Sequence, residues 1–507
     1  MKLTQRVRHL AAAITGRVQS GKVSVRYAGA QHSRIVANWF TELNDPNEQL
    51  KDALASLRAR SRQLVNDNGE AAGLLLDFES DIVGATGARL QFRARTPRGL
   101  PRDVLNNRVE DGWAAWGKRG SCTVTGTESF AALQRLMIRT VIMDGEFLAL
   151  RVRGADNAYG YALQPIDPDL LDETENTTAV SGRNAVVMGV EVNRDGKPVA
   201  YHLWDRHPTI SGRVKRVVPA RDVLHVFKRQ RSGQVRGIPW FAPALITWKL
   251  GDRYTEAELY QSLLAAAQGG FFVNKDGGGF APSLDAEGNP IPLVMEAVPG
   301  QATALPAGYE FQAWTPTHPT ANYSAFMKVV KRGMARAFGR SYASLTGDLS
   351  EVNFSSMRTD RVREMGQSRM HQNDLLIEQF CEPIFADWVT MAILSGQLGA
   401  VTLDAATVVG FASWMCAGWP WIDPVKDATA AMMELNMGAT SIQRICAEKG
   451  RDFYEIIDEI ADAKAYCELK GVTLDAVALS IAVTTGAAAD PEAGDGARVL
   501  PLRKGAA

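Results

Sequence analysis

Lys328, Arg332, Arg336 and Arg340 recur every four residues, with Lys331 beside Arg332. On a helix, a spacing of four keeps side chains on one slowly drifting face. No Asp or Glu occurs between Glu310 and Asp348, so this stripe is a local concentration of positive charge. Such a row can hold the phosphates of a polyanion, weakly and without reading bases. It can equally be a solvated helix face, packed on its far side through Phe326, Val329, Val330, Met334, Ala337 and Phe338. The sign of the charge then reverses in a polar segment carrying Gly347, Asp348, Ser350, Glu351 and Asn353. Gly347 permits a sharp turn, and Asp348 and Glu351 put negative charge next to the stripe. Asn353, Ser355 and Ser356 suit the cap of a following helix whose first turns hold Arg358, Arg361 and Arg363.

Residues suited to covalent chemistry are not gathered anywhere. The Gly-Lys pairs starting at 21, 117 and 196 are followed by Val, Arg and Pro, so no phosphate-binding G-x-x-x-x-G-K-[ST] loop is present. The nearest approach to G-x-S-x-G is Gly339-Arg340-Ser341-Tyr342-Ala343, which ends in Ala. His202, His207 and Asp205 flank an expected strand end and suit surface hydrogen bonding. Asp144 with Glu146, and Asp167 with Asp169, are carboxylate pairs of the kind that bind magnesium in nucleases. The first pair sits in a turn and the second beside Pro165 and Pro168, so turn chemistry accounts for both. Neither an enzyme nor a cofactor is expected.

The elements that position the stripe are legible from periodicity. Leu54, Leu57, Leu64 and Val65, then Leu75, Phe78, Ile82 and Val83, fall at helical intervals across 46–83. A strand is expected at 90–95, and Trp113 and Trp116 share one helical face. A helix over 128–143 runs into an Asp144-Gly145 turn and the strand FLALRV. VVMGVEVN and PVAYHLW flank Asp195-Gly196, a hairpin signal. The first 240 residues therefore read as α+β. Helix follows from Pro243 to Gln268, then a Gly- and Pro-rich excursion over 271–318, then helix again from Thr320 to about Arg340. Two helices thus bracket a small, loop-rich β insertion.

Composition sets the outer bounds. A chain of 507 residues with 46% apolar content can bury a large core in more than one domain. Basic and acidic residues balance at 56 each, so any DNA contact must be local or weak. Five scattered cysteines (Cys122, Cys381, Cys416, Cys446, Cys467) without C-x-x-C argue for a reducing compartment and against a zinc site. No apolar run approaches the roughly 20 residues of a membrane helix, so a soluble protein is expected. The start is basic and free of acids until Glu42. That pattern suits an arm resting on an acidic neighbour, and an organelle transit peptide shares it.

The stretch YASLTGDLSEVNFSSMRTDRVREM (342–365) resembles the tunnel-loop region of lambda-type phage portal proteins. Other pieces resemble the same family in the same order: LRARSRQLVNDN (57–68), DIVGATGARLQF (81–92), DGWAAWGKRG, LQRLMIRTVIMDGEFL (133–148) and QPID (164–167). VLHVFKRQRSGQVRGIPWFAPAL (223–245), GWPWIDPVKDATAA (418–431) and AEKGRDFYEI (447–456) extend it, so the likeness spans roughly residues 27 to 475.

The resemblance implies an α+β portal fold with wing, helical stem, small β-rich clip and helical crown, assembled as a homo-oligomeric ring, usually twelvefold. It divides the chain into a basic arm (1–26), wing (27–240), first stem helix (241–270), clip (271–318) and second stem helix (319–341). A tunnel loop (342–355), wing helices (356–440), crown region (441–483) and flexible tail (484–507) follow. It further implies a channel for double-stranded DNA, lined in part by Lys328, Lys331, Arg332, Arg336 and Arg340, and touched by the tunnel loop. The implied partners are the terminase large subunit, major capsid protein, scaffold and head-completion or adaptor proteins, with no membrane. The implied location is the capsid vertex, and the host cytoplasm during assembly. A structural adaptor ring without DNA contact is the alternative reading.

Overall fold

The computed structural model describes residues 45–96, 98–100, 102–266, 270–274, 286, 309–313, 322–399 and 404–471. The expected N-terminal arm, most of the 271–318 excursion and the tail lie outside them.

Three helices open the described chain: α1 (Pro46–Lys51), α2 (Leu54–Asp67) and α3 (Gly69–Ile82). Asn68 separates the last two by capping α3, its side chain accepting from the Ala71 N–H at 3.0 Å. Ala71, Leu74, Leu75, Phe78 and Ile82 then form the buried face that the sequence spacing requires. The strand β1 (Arg89–Phe92) is shorter than the expected 90–95 run. The Ala94 N–H turns away to the Asn106 side chain at 2.9 Å, which ends the pairing. On α4 (Asp103–Trp116), Trp113 and Trp116 are both buried, with ring centroids 4.8 Å apart. The helix α5 (Phe130–Asp144) ends at Gly145, whose φ of 93° turns the chain directly into β2 (Glu146–Arg153).

The strand β3 (Tyr161–Ile166) pairs antiparallel with β2. A second, four-stranded antiparallel sheet follows: β4 (Ala185–Val187), β5 (Val190–Val192), β6 (Pro198–Trp204) and β7 (Lys215–Pro219). The β5–β6 hairpin turns across Asp195-Gly196 as expected, with Gly196 at φ 78°. The run before it is two strands rather than one. Met188 (φ 46°) and Gly189 (φ 80°) fold it back on itself, so that Val187 pairs with Val190. A Cβ on Gly189 would meet the Asp172 carbonyl oxygen at 2.6 Å, which reserves this tight turn for glycine. The strand β8 (Val223–Phe227) then adds to the other edge of β2. One face of this three-stranded sheet joins the large helical core, and the other packs on the second sheet through Leu148, Leu150, Val190, Tyr201 and Leu203.

A long helix, α6 (Leu245–Ala266), leads to β9 (Gly270–Asn274), which pairs antiparallel with β10 (Tyr309–Ala313). The excursion between the long helices thus leaves and returns on a two-stranded ribbon. The helix α7 (Tyr323–Ala337) comes back beside α6. A short helix, α8 (Tyr342–Thr346), and a loop precede one continuous helical run: α9 (Phe354–His371), a π-helical stretch (Gln372–Cys381) and α10 (Glu382–Leu394). The π stretch runs up to Pro383, which has no N–H to donate and crowds the preceding turn. Within it, the Gln372 side chain donates to the carbonyls of Ile82 and Ala417 at 3.1 and 3.2 Å, tying the widened segment to the core.

The helix α11 (Ala405–Val409) and the strand β11 (Ala412–Met415) follow, and β11 pairs antiparallel with β1. The described chain closes with α12 (Pro424–Asn436), α13 (Ile442–Glu448) and α14 (Phe453–Leu469), none of which has a buried residue. No helix among the described residues is long and apolar enough to cross a membrane.

Candidate nucleic-acid interface

The basic stripe sits on a helical hairpin whose geometry follows from its aromatic and sulfur contacts. Tyr254 stacks on Tyr323 at 5.6 Å, Gly251 faces Met327 and Met334, and Trp248 meets Phe338 at 5.9 Å. Position falls along α6 as it rises along α7, so the two helices are antiparallel. Gly251 allows the close approach, since a Cβ there would stand 3.2 Å from the Met334 methyl. Both helices leave large apolar side chains in the open: Ile246, Leu250, Leu259, Tyr260 and Leu263 on α6, and Phe326 and Val329 on α7.

Along α7 the expected cations have different fates. Lys328 donates to Glu351 at 2.7 Å, and Arg332 lies 3.9 Å from the other oxygen of the same carboxylate. Lys331 leaves the stripe sideways and pairs with Glu70 at the start of α3. Arg336 is exposed and has no ion-pair partner among the described residues. Arg340 does not belong to the exposed row. The helix ends at Ala337, and Gly339, at φ 70°, throws the chain off the helical spacing. The Arg340 guanidinium is buried, 2.6 Å from Asp81, 3.6 Å from Glu364 and 4.2 Å above the Phe78 ring. Its charge is consumed within the fold.

The acidic segment is latched onto the stripe. Ser341 caps α8 by accepting from the Ser344 N–H at 3.1 Å, and the Ser344 hydroxyl donates to buried Glu364 on α9 at 2.8 Å. Gly347 closes α8 in the left-handed conformation at φ 71°. Asp348 then accepts from the Ser350 hydroxyl at 2.6 Å and its N–H at 3.0 Å, and from the Tyr342 hydroxyl at 3.2 Å. These bonds, the Ser350 hydroxyl first, hold its carboxyl below the usual range. Asn353 caps α9, accepting from the Ser356 N–H at 2.8 Å. Arg332 lies 5.8 Å from the Tyr342 ring centroid. The loop tip is thus held on α7 through Glu351. Sequence reading placed negative charge beside the stripe but not this specific pairing.

The carboxylate pairs do stand at turns, Asp167 accepting from the Asp169 N–H at 2.9 Å, and they also come together in one ionic network. Arg62 binds Asp144 at 2.7 Å, Asp167 at 2.9 Å and Asp169 at 2.6 Å. Arg58 reaches Asp169 at 2.5 Å and Glu146 at 3.1 Å. Arg236 and His225 complete the shell of Glu146, at 2.5 and 3.0 Å. Burial opposes ionisation of Glu146, but Arg236 and His225 more than offset it and hold the carboxyl well below its usual range. With arginines on each of these carboxylates, the network ties α2 and the 3-10 turn after β3 to β2 and the segment before α6. His207 meets Thr209 at 2.8 Å through Nδ1 and Asp169 at 3.4 Å through Nε2, at the edge of this network, and His202 lies 3.7 Å from Glu191. Among the described residues no group of three or more His, Cys, Asp or Glu is arranged to hold a metal ion.

Comparison with known proteins places this architecture. The family model for phage portal proteins of the lambda family matches residues 32–372. The probable portal protein of Halomonas phage phiHAP-1 is 31% identical over 446 residues, covering 85% of each chain. Portal protein B of Escherichia phage lambda is 22% identical over 459 residues, covering 82% of this chain and 85% of its own. Among solved structures, a chain from the neck of an empty gene transfer agent particle aligns over 79% of this chain and 93% of its own, at 17% identity and a TM-score of 0.42. On the extent of the family match and the identity to the Halomonas phage protein, the chain belongs to the lambda family of phage portal proteins.

Proposed function

We propose that this chain is the subunit of a head–tail connector: it closes a homo-oligomeric ring at the unique capsid vertex, and the ring's channel passes double-stranded DNA during packaging and ejection. The observation that carries the reading is the antiparallel α6–α7 hairpin, with its exposed cations on α7 and a two-stranded ribbon at its far end. In this reading α6 and α7 are the stem, and the ribbon roots the clip on which the terminase motor and later the head-completion proteins dock. Residues 342–355 form the tunnel loop, and α12–α14 contribute to wing and crown. The exposed apolar side chains of the hairpin and the lack of any buried residue in α12–α14 suit a chain completed by neighbouring copies. The subunit works by geometry and charge, with ATP hydrolysis supplied by the separate motor. It acts in the virion, after assembly in the host cytoplasm.

Of the stripe, Arg336 is the cation with the clearest access to a passing phosphate, with Lys328 and Arg332 shared with Glu351. The test is Arg336→Ala in the phage, with ring assembly followed by electron microscopy and genome content by DNA quantification of purified heads. Intact rings with altered packaging or retention support the reading. Normal packaging and retention would remove the stripe from the channel.

A further inference from the structure

We infer that Glu351 is an internal competitor for DNA phosphates, occupying Lys328 and Arg332 when no duplex is present and giving them up as a duplex passes. The inference rests on the proposed channel position of the stripe and adds to it a residue that sets how firmly the stripe grips.

The geometry has three parts. First, one carboxylate serves two cations one turn apart on α7: Glu351 accepts from Lys328 at 2.7 Å and stands 3.9 Å from Arg332. It is held at two points, as a phosphate would be. Second, the carboxylate is open to water: the Glu351 and Arg332 side chains are 64% and 59% exposed, and Lys328, at 22%, is the more sheltered partner. An ion pair so exposed is weak and salt-sensitive, so an incoming polyanion can displace it. Third, Glu351 sits on a loop whose turn begins at Gly347, where even an added Cβ would meet nothing within 4 Å. The tip itself, Leu349, Ser350 and Glu351, is exposed, whereas α8 is fixed to α9 through Ser344 and Glu364.

The two other cations show that the masking is selective. Arg336, one turn beyond Arg332, has no ion-pair partner among the described residues and is a standing contact for phosphate. Lys331 is committed elsewhere, to Glu70. Each subunit then presents one permanent cation and two that are exchanged between Glu351 and the backbone. Exchange lowers the net gain per phosphate and lets a duplex slide instead of seating. Carboxylate leaves phosphate's place without any bond being made or broken, so the step is a swap of ion pairs and counterions alone.

The test measures binding of a short blunt DNA duplex to the assembled full-length protein across a series of salt concentrations. Four forms are compared: wild type, Glu351→Gln, Arg336→Ala, and the triple variant Glu351→Gln with Lys328→Ala and Arg332→Ala. Competition predicts that Glu351→Gln binds several-fold more tightly at low salt. It also predicts a slope of log affinity against log salt that steepens by about 1 or more, since each neutralised phosphate contributes about 0.9. The triple variant loses that gain. If Arg336→Ala weakens binding but Glu351→Gln changes neither affinity nor slope, the stripe meets DNA and the competitor role is wrong. If neither Arg336→Ala nor the triple variant alters binding, the stripe does not meet DNA, and both the channel reading and this inference fall. A ring count from electron microscopy for each form separates lost binding from lost assembly.

Discussion

Arg236 and Glu146 face each other with no solvent between or around them: the guanidinium donates through Nε at 2.9 Å and Nη2 at 2.5 Å, and both side chains are fully buried. The pair stands where the chain passes from β8 toward the α6–α7 hairpin. Gly237, the next residue, also donates its N–H to Glu146 at 3.0 Å. Replacing Glu146 by Gln keeps the shape and removes the charge that Arg236, Arg58 and His225 share. Removing one partner of a buried ion pair costs about 3–5 kcal/mol. Glu146→Gln is therefore expected to lower the denaturant midpoint strongly, whereas Glu48→Gln on exposed α1 should leave it unchanged. Equal midpoints for the two variants would show that the network adds little to stability.

Gly237 and Gly145 give a second, purely steric prediction. A Cβ on Gly237 would fall 2.0 Å from the Gly145 carbonyl oxygen, a contact with backbone that no rotamer relieves. Overpacking of this kind costs about 1–3 kcal/mol and often more where backbone must move. Gly237→Ala should accordingly reduce the melting temperature by several degrees. Gly69→Ala, at the start of α3 with nothing within 4 Å, should be neutral or slightly stabilising. The control matters because both changes add the same methyl group. A Gly237→Ala protein that melts with wild type would mean the two segments separate more easily than their contact implies.

Arg340 and Arg336 separate structure from function within one sequence motif. Arg340→Ala removes the buried cation beside Asp81 and Glu364 and leaves them Arg361, 2.8 Å from Asp81 and 3.7 Å from Glu364, so the expected result is a clear destabilisation that stays below the about 3–5 kcal/mol of a wholly unpaired buried charge. Arg336→Ala should leave the unfolding curve unchanged, because the side chain is exposed and has no ion-pair partner among the described residues. Urea denaturation of both variants checks this. Similar losses for the two would erase the distinction and return Arg340 to the stripe.

That distinction also shows what the sequence can and cannot carry. The bounds of α6 and α7 were close to readable, because apolar spacing and Gly or Pro punctuation act locally. Pro243–Gln268 was expected and Leu245–Ala266 is found. The spacing of four was equally readable, but it assumes an unbroken helix, and Gly339 breaks it just before Arg340. The partners that decide each cation's charge are not local at all. Glu70 is 261 residues from Lys331, and Asp81 is 259 from Arg340. The arginine network was missed for the same reason. Asp144, Asp167 and Asp169 each look like turn residues in their own neighbourhood, and only the fold brings Arg62 to all three. Glu351 was the nearest miss, since it lies within one loop of Lys328 and its sign alone suggested the pairing.

His371, the last residue of α9, supplies a pH dependence with a definite sign. Its ring lies 4.7 Å from Trp240, in a pocket that also receives Lys228, 4.9 Å from the same indole. Burial, with Lys228 next and Arg340 adding to it, depresses its pKa from 6.5 to about 4, while Asp374 opposes the shift. In the unfolded chain the imidazole takes up a proton as pH falls through about 6.5, but in the folded chain it does not until about 4. Between those values the unfolded state binds more protons, so stability falls as pH falls. At about 1.4 kcal/mol per unit, the full shift amounts to roughly 3 kcal/mol lost by pH 4, with nothing lost above neutrality. Carboxylates titrate in the same window, so the quantity to measure is the difference between wild type and His371→Gln. From pH 7 to pH 4.5 the unfolding free energy of wild type should fall relative to that of the variant, because the variant has no proton to take up there. Parallel curves would mean that the histidine is solvated in the folded protein, and that its packing against Trp240 does not exclude the charged form.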